Sequence, residues 1–125
     1  MMVYLDTHLV LWLFIGTLEN ISKPALETIE ENEIYISPII LLELQLLNER
    51  KKTRQSPSAI IETLRNEINL KICTKDFHSI IGESIKINWT RDPFDRIMVA
   101  HASLNNNILL TKDDTILAHY NKAVW

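Results

Sequence analysis

Four short apolar runs divide this chain, and after each of them the sequence turns to helix. Val3-Tyr4-Leu5 stops at Asp6 and Ile34-Tyr35-Ile36 stops at Ser37. Leu70-Lys71-Ile72-Cys73 leads to Asp76, and Ile108-Leu109-Leu110-Thr111 ends at Lys112-Asp113-Asp114. Runs this short, rich in β-branched, leucine and aromatic residues, read as strands. The stretches between them repeat apolar residues at three and four, as Ala25, Leu26 and Ile29 do, which reads as helix. Strands alternating with helices leave few arrangements open. A strand followed by a helical crossover runs parallel to its neighbour, and helices cover both faces of the sheet. We therefore expect an α/β fold: a three-layer α/β/α sandwich with a central parallel sheet of four to five short strands. With 125 residues and no linker or repeat, residues 1–125 read as a single domain with one sizeable core.

Local signals place the boundaries. The first strand covers residues 2–6, and Thr7 or Asp6 caps a helix through Leu9, Leu11, Trp12, Leu13 and Phe14 that Gly16 closes. Ser22, with Pro24 behind it, opens a helix to Glu31. Pro38 opens another from about Ile39 to Arg50, Ser56-Pro57 a fourth to about Asn66, and Asp76 a fifth. Asp92-Pro93 is the firmest start, with Asp at the N-cap and Pro at the first helical position, where its missing N–H is not needed. A short helix from about Thr115 to Tyr120 and a small edge strand at Ala123-Val124-Trp125 complete the pattern.

Composition narrows the chemistry. Two glycines cannot supply a Gly-rich phosphate loop. Cys73 alone makes neither a disulfide framework nor a Cys-rich zinc site, and fits a reducing, cytoplasmic setting. The start of the chain lacks a basic signal-peptide pattern, and Leu9–Ile15 is too short for a bilayer, so no membrane partner is expected. A net charge of −3 confines any nucleic-acid role to local patches. The one basic cluster is Arg50-Lys51-Lys52-Thr53-Arg54, a solvated loop or a phosphate contact.

Four acids stand where apolar residues would be ordinary. Asp6 and Asp113 directly follow strands, Glu43 is alone in the apolar run Ile39 to Leu47, and Asp95 falls in the first turn of the Asp92 helix. All four can reach the carboxyl edge of one sheet, where open α/β folds keep their sites. Two carboxylates about 4 Å apart repel by roughly 4 kcal/mol at an effective dielectric of about 20, so four together call for a counter-charge. A hard divalent cation suits oxygen ligands, and no His or Cys ligand spacing competes. His8, His78, His101 and His119 read as surface or satisfied core groups. Asp92 fits a cap as well as a site role. Arg96 and Lys112 are candidates to neutralise phosphate, with an Arg96–Asp92 pair slightly favoured for the former.

These residues together carry a resemblance. Tyr4-Leu5-Asp6-Thr7-His8, Ser37 followed by Glu43, Asp92-Pro93-Phe94-Asp95-Arg96 with Ile97 to Ala102, Leu110-Thr111-Lys112-Asp113 and Val124-Trp125 are similar to the PIN domain, and within it to VapC-type toxins of toxin–antitoxin pairs. The resemblance implies a Mg²⁺- or Mn²⁺-dependent endoribonuclease. Asp6, Glu43, Asp95 and Asp113 would be its catalytic and metal-binding acids, with Thr7 and Thr111 in support. It further implies an RNA substrate, a homodimer and a small antitoxin partner, with an apolar groove near the Leu9–Phe14 helix. The acidic net charge departs from what tight RNA binding by the chain alone would use. The alternative is a catalytically silent PIN-like module that binds RNA or protein. A haloacid dehalogenase would need Asp where His8 stands, and a receiver domain would need an Asp ending its third strand, where Cys73-Thr74 stand.

Overall fold

The computed structural model describes residues 1–125. Five strands form the sheet: β1 (Met2–Leu5), β2 (Glu33–Ile36), β3 (Lys71–Ile72), β4 (Ile108–Leu110) and β5 (Ala123–Val124). Seven α-helices surround it: α1 (Thr7–Ile15), α2 (Lys23–Glu31), α3 (Ile39–Glu49), α4 (Pro57–Ile68), α5 (Phe77–Ile85), α6 (Pro93–Ser103) and α7 (Asp114–His119). A 3-10 turn at Leu18–Asn20, which no sequence signal announced, joins α1 to α2. No helix is long and apolar enough to cross a membrane.

All pairings are parallel, and the strand order is β3-β2-β1-β4-β5. β1 is central, so Val3, Tyr4 and Leu5 are fully buried and both of its faces are apolar. The first crossovers step outward from β1 on one side and the last ones on the other. Right-handed connections then put the two sets of helices on opposite faces, giving the three layers.

The helix starts follow the capping residues. Ser22, Ser56, Asp76, Asp92 and Asp113 each accept a backbone N–H from the first turn of their helix. Asp6, rather than Thr7, caps α1. Gly16 ends α1 in the left-handed conformation at φ 89°, where its lack of a Cβ costs nothing. Asn69 caps α4 the same way, so the helix runs two residues beyond the expected Asn66, because the Asn69 side chain tolerates the left-handed region.

Leu44, Ile40, Ile80, Leu109 and Leu110 are among the fully buried core side chains, and burial of each such residue contributes roughly 1.5–3 kcal/mol. Two polar links cross this core. Tyr4 donates its hydroxyl to the Cys73 sulfur at 3.0 Å, and Ser37 hydrogen-bonds His101 Nδ1 at 2.8 Å. The second joins the start of α3 to α6 beside the carboxyl end of β2.

Candidate active site

The sheet order decides where the acids meet. From β1 the chain builds outward to β2 and β3, then returns to place β4 on the other side of β1. The switch point of this open sheet is therefore the gap beyond the carboxyl ends of β1 and β4. Leu5 is in register with Leu110, and the Asp6 amide donates to the Leu110 carbonyl at 3.0 Å. Asp6 follows the one strand and Thr111 the other, and the Thr111 hydroxyl donates to the Asp6 carboxylate at 2.5 Å.

Each acid has its own local reason to be there. Asp6 also accepts the Thr7 amide as the cap of α1. Asp113 caps α7 through the Ile116 amide at 2.9 Å, while its own amide donates to the Thr111 hydroxyl at 3.0 Å. Asp92 caps α6 by accepting from the amides of Phe94 and Asp95. Asp95 is the third residue of that helix. Glu43 reaches in from the second turn of α3 and accepts the hydroxyl of buried Thr7. The positive ends of α1, α6 and α7 thus face the same place, which partly offsets the gathered negative charge.

Asp6, Glu43, Asp92, Asp95 and Asp113 line one cleft of about 520 Å³, with His8, Leu9, Trp12 and Lys112 completing its walls. Burial and proximity raise the proton affinity of three of these acids. Burial and then the charges of Asp92, Asp6, Asp113 and Glu43 push the Asp95 carboxyl up to about 7. Burial also raises Glu43, with Asp6 and Asp92 adding to it against the Thr7 hydrogen bond. Asp6 is raised too, chiefly by burial, while the hydrogen bonds from Thr111 and Thr7 pull it back.

The four expected acids are therefore brought together. In this arrangement no group of three carboxylate or imidazole side chains stands close enough to hold one ion directly. The set is a gathered acidic wall rather than a closed cage. That fits a hard, hydrated cation, because Mg²⁺ keeps several waters and binds through one or two carboxylates. An all-oxygen donor set in which burial and neighbouring acids raise Asp6, Glu43 and Asp95 is the chemistry such a cation relieves.

Other expectations fare differently. Thr7 and Thr111 hydrogen-bond site acids as expected. Arg96 does not pair with Asp92. Its Nε donates instead to the Thr90 carbonyl at 2.7 Å. Arg96 does not line the cleft, whereas Lys112 does. None of Arg50, Lys51, Lys52 and Arg54 lines it either; they form an exposed loop at the far end of α3. His101 is a satisfied core group, and His78 and His119 are exposed. Exposed His8, expected as a surface or satisfied core group, and half-buried Trp12, expected only within the apolar Leu9–Phe14 helix, both line the cleft. Their four-residue spacing, one α-helical face, was the available signal.

A PIN domain family model matches residues 3–122. A solved structure with the same fold is the crystal structure of VapBC2 from Rickettsia felis bound to a DNA fragment from their promoter. The match has a TM-score of 0.69 at 16% identity and covers 99% of this chain and 96% of that one. No curated protein matches in sequence. The family match spans both strands of the switch point and all four expected acids, and on it the chain belongs to the PIN domain family.

Proposed function

We propose that this chain is a metal-dependent endoribonuclease and the toxin of a toxin–antitoxin pair. The observation that carries the reading is the cleft at the β1–β4 switch point, where burial and four neighbouring acids lift Asp95 to about 7. PIN family membership and a fold shared with VapBC2 support it. Asp6, Glu43, Asp95 and Asp113 would hold Mg²⁺ or Mn²⁺. Such a cation, when bound, polarises a phosphoryl oxygen and makes its water a better nucleophile. The reaction joins the water oxygen to phosphorus and breaks the bond to the leaving ribose oxygen. One of the carboxylates would accept the proton of the attacking water. The Thr7 and Thr111 hydroxyls fix the Glu43 and Asp6 carboxylates. Lys112 is the cleft's one lysine or arginine and meets the phosphate charge. The test is cleavage of a mixed RNA pool, expected in Mn²⁺ and lost in chelator. Cleavage that survives in chelator refutes metal dependence, and no cleavage in either leaves a catalytically silent binding module.

Two surfaces support the partners in this reading. Leu11, Phe14 and exposed Ile15 of α1 face Ile60 across an apolar hollow of about 270 Å³, rimmed by Lys52 and Arg54. An apolar floor with a cationic rim matches an amphipathic, acidic segment, and we assign it to the antitoxin. Leu42 and Phe77, 49% and 64% exposed, flank a second apolar hollow between α3, α5 and α6, which we assign to a second copy of the chain. Sedimentation separates the two assignments. Phe77→Asp is expected to yield monomers that still bind antitoxin, and K52E/R54E to yield dimers that bind it poorly. A parent chain that sediments as a monomer at tens of micromolar, roughly where weak interfaces dissociate, counts against the dimer.

A further inference from the structure

We propose that Trp12 and Lys112 together dock one nucleotide of the substrate, the indole stacking its base and the ammonium holding its phosphate. The substrate must then be single-stranded where it enters the cleft. This rests on the ribonuclease reading above and adds to it a base-binding group outside the acidic set.

Five acids make the cleft repel a phosphodiester, so affinity has to come from elsewhere on its wall. Lys112 is the only lysine or arginine there. It is exposed and forms no ion pair: the two salt bridges in the structure are Lys71–Glu33 and Lys86–Glu83. Its ammonium instead lies over the Trp12 ring, 5.9 Å from the centroid. The ammonium covers one side of the indole, so a base stacking there takes its place and the flexible Lys112 side chain swings out to the phosphate.

Trp12 is suited to stacking. It is half-buried at the wall of a polar cleft, whereas a core indole would be covered. Trp125 braces it at 5.9 Å and 61°, and His8 flanks it at 6.1 Å and 39°. A ring already held in place loses little freedom when a base arrives. Of the three tryptophans, only Trp12 lines the cleft. Trp89, stacked on His119 at 5.0 Å, is not among the cleft residues. A base inside a duplex is stacked on its neighbours and cannot reach an indole, whereas every base of a single strand offers a face. Recognition through Trp12 thus tolerates any base and rejects paired RNA.

The test compares three labelled probes: a mixed-sequence RNA single strand, the same strand annealed to its complement, and an abasic ribose–phosphate chain of equal length. Binding is read in chelator and cleavage in Mn²⁺. Trp12→Ala should raise Kd and KM for the single strand by about tenfold and leave kcat nearly unchanged, and Trp12→Phe should restore most of the loss. On the abasic chain Trp12→Ala should bind like the parent. Lys112→Gln should weaken both chains and flatten the salt dependence by about 0.7. The abasic probe works on the parent protein, so the proposal does not depend on a variant that folds. It is overturned if the parent binds the abasic chain as tightly as RNA, if Trp12→Ala weakens both alike, or if duplex is cut as readily as single strand. RNA cleavage that ignores Trp12 sinks the docking proposal alone, whereas a parent that neither binds nor cleaves RNA removes the ribonuclease reading with it.

Discussion

Asp95→Asn is expected to abolish RNA cleavage, by about a hundredfold to ten-thousandfold, while the metal-free protein stays as stable as the parent or becomes more so. Asparagine keeps the size of the side chain and removes a charge that burial and four neighbouring acids all oppose. Asp6→Asn and Glu43→Gln follow the same logic, and Asp113→Asn is expected to lose cleavage without losing its helix cap. The replacement can still accept from the Thr7 hydroxyl at 43 and from the Ile116 amide at 113; at position 6 the single amide oxygen keeps the Thr7 N–H but gives up the Thr111 hydroxyl, so Asp6→Asn gains the least stability of the set. Asparagine is also as good an N-cap as aspartate, so α1 and α7 keep their starts. Asp92 provides the contrast. Ala there leaves the amides of Phe94 and Asp95 without their acceptor and should cost about 1 kcal/mol. Thermal melts beside cleavage assays decide the matter. Four isosteric variants that all melt early, with activity lost in proportion, would make these acids structural.

Divalent metal should raise the melting temperature of the parent, and the rise should shrink as the solution is acidified. A ligand at a hundredfold excess over its Kd adds about 2.7 kcal/mol. For a domain of this size that is roughly 10 °C. Below about pH 7 a proton on Asp95 competes with the cation, so apparent metal affinity should fall by roughly tenfold per pH unit. The metal-free protein carries the same signature. Asp95 binds its proton more tightly folded than unfolded, so the folded state holds the extra proton between about pH 4 and 7. The stability this confers is complete below about pH 4 and is lost as pH rises through 7. Asp6 and Glu43, raised in the same direction, add to the slope. Asp95→Asn should flatten it. Melts in metal and in chelator across this range are the measurement, and a metal-induced shift that persists unchanged in the Asp95→Asn variant would take Asp95 out of the site.

What the sequence determined by itself was local. Ser22, Ser56, Asp76, Asp92 and Asp113 start helices because each cap reaches amides only two or three residues ahead, and Gly16 ends α1 because one backbone angle favours it. The α/β class followed from the alternation of short apolar runs with helical periods. The four acids stood out because charge in an apolar setting is costly wherever the chain goes. Three facts needed the tertiary structure. Asp6 and Thr111 are 105 residues apart, and they touch because β4 pairs with β1 rather than with β3. Arg96 turns to the Thr90 carbonyl, a backbone partner in the loop before its helix that the i, i+4 spacing to Asp92 does not reveal. Trp12 packs against the core and also lines the cleft, and α1 is apolar on nearly every side. Such a helix has no polar face to fix its rotation, so only the elements packed around it, Trp125 among them, decide which side chain meets the acids.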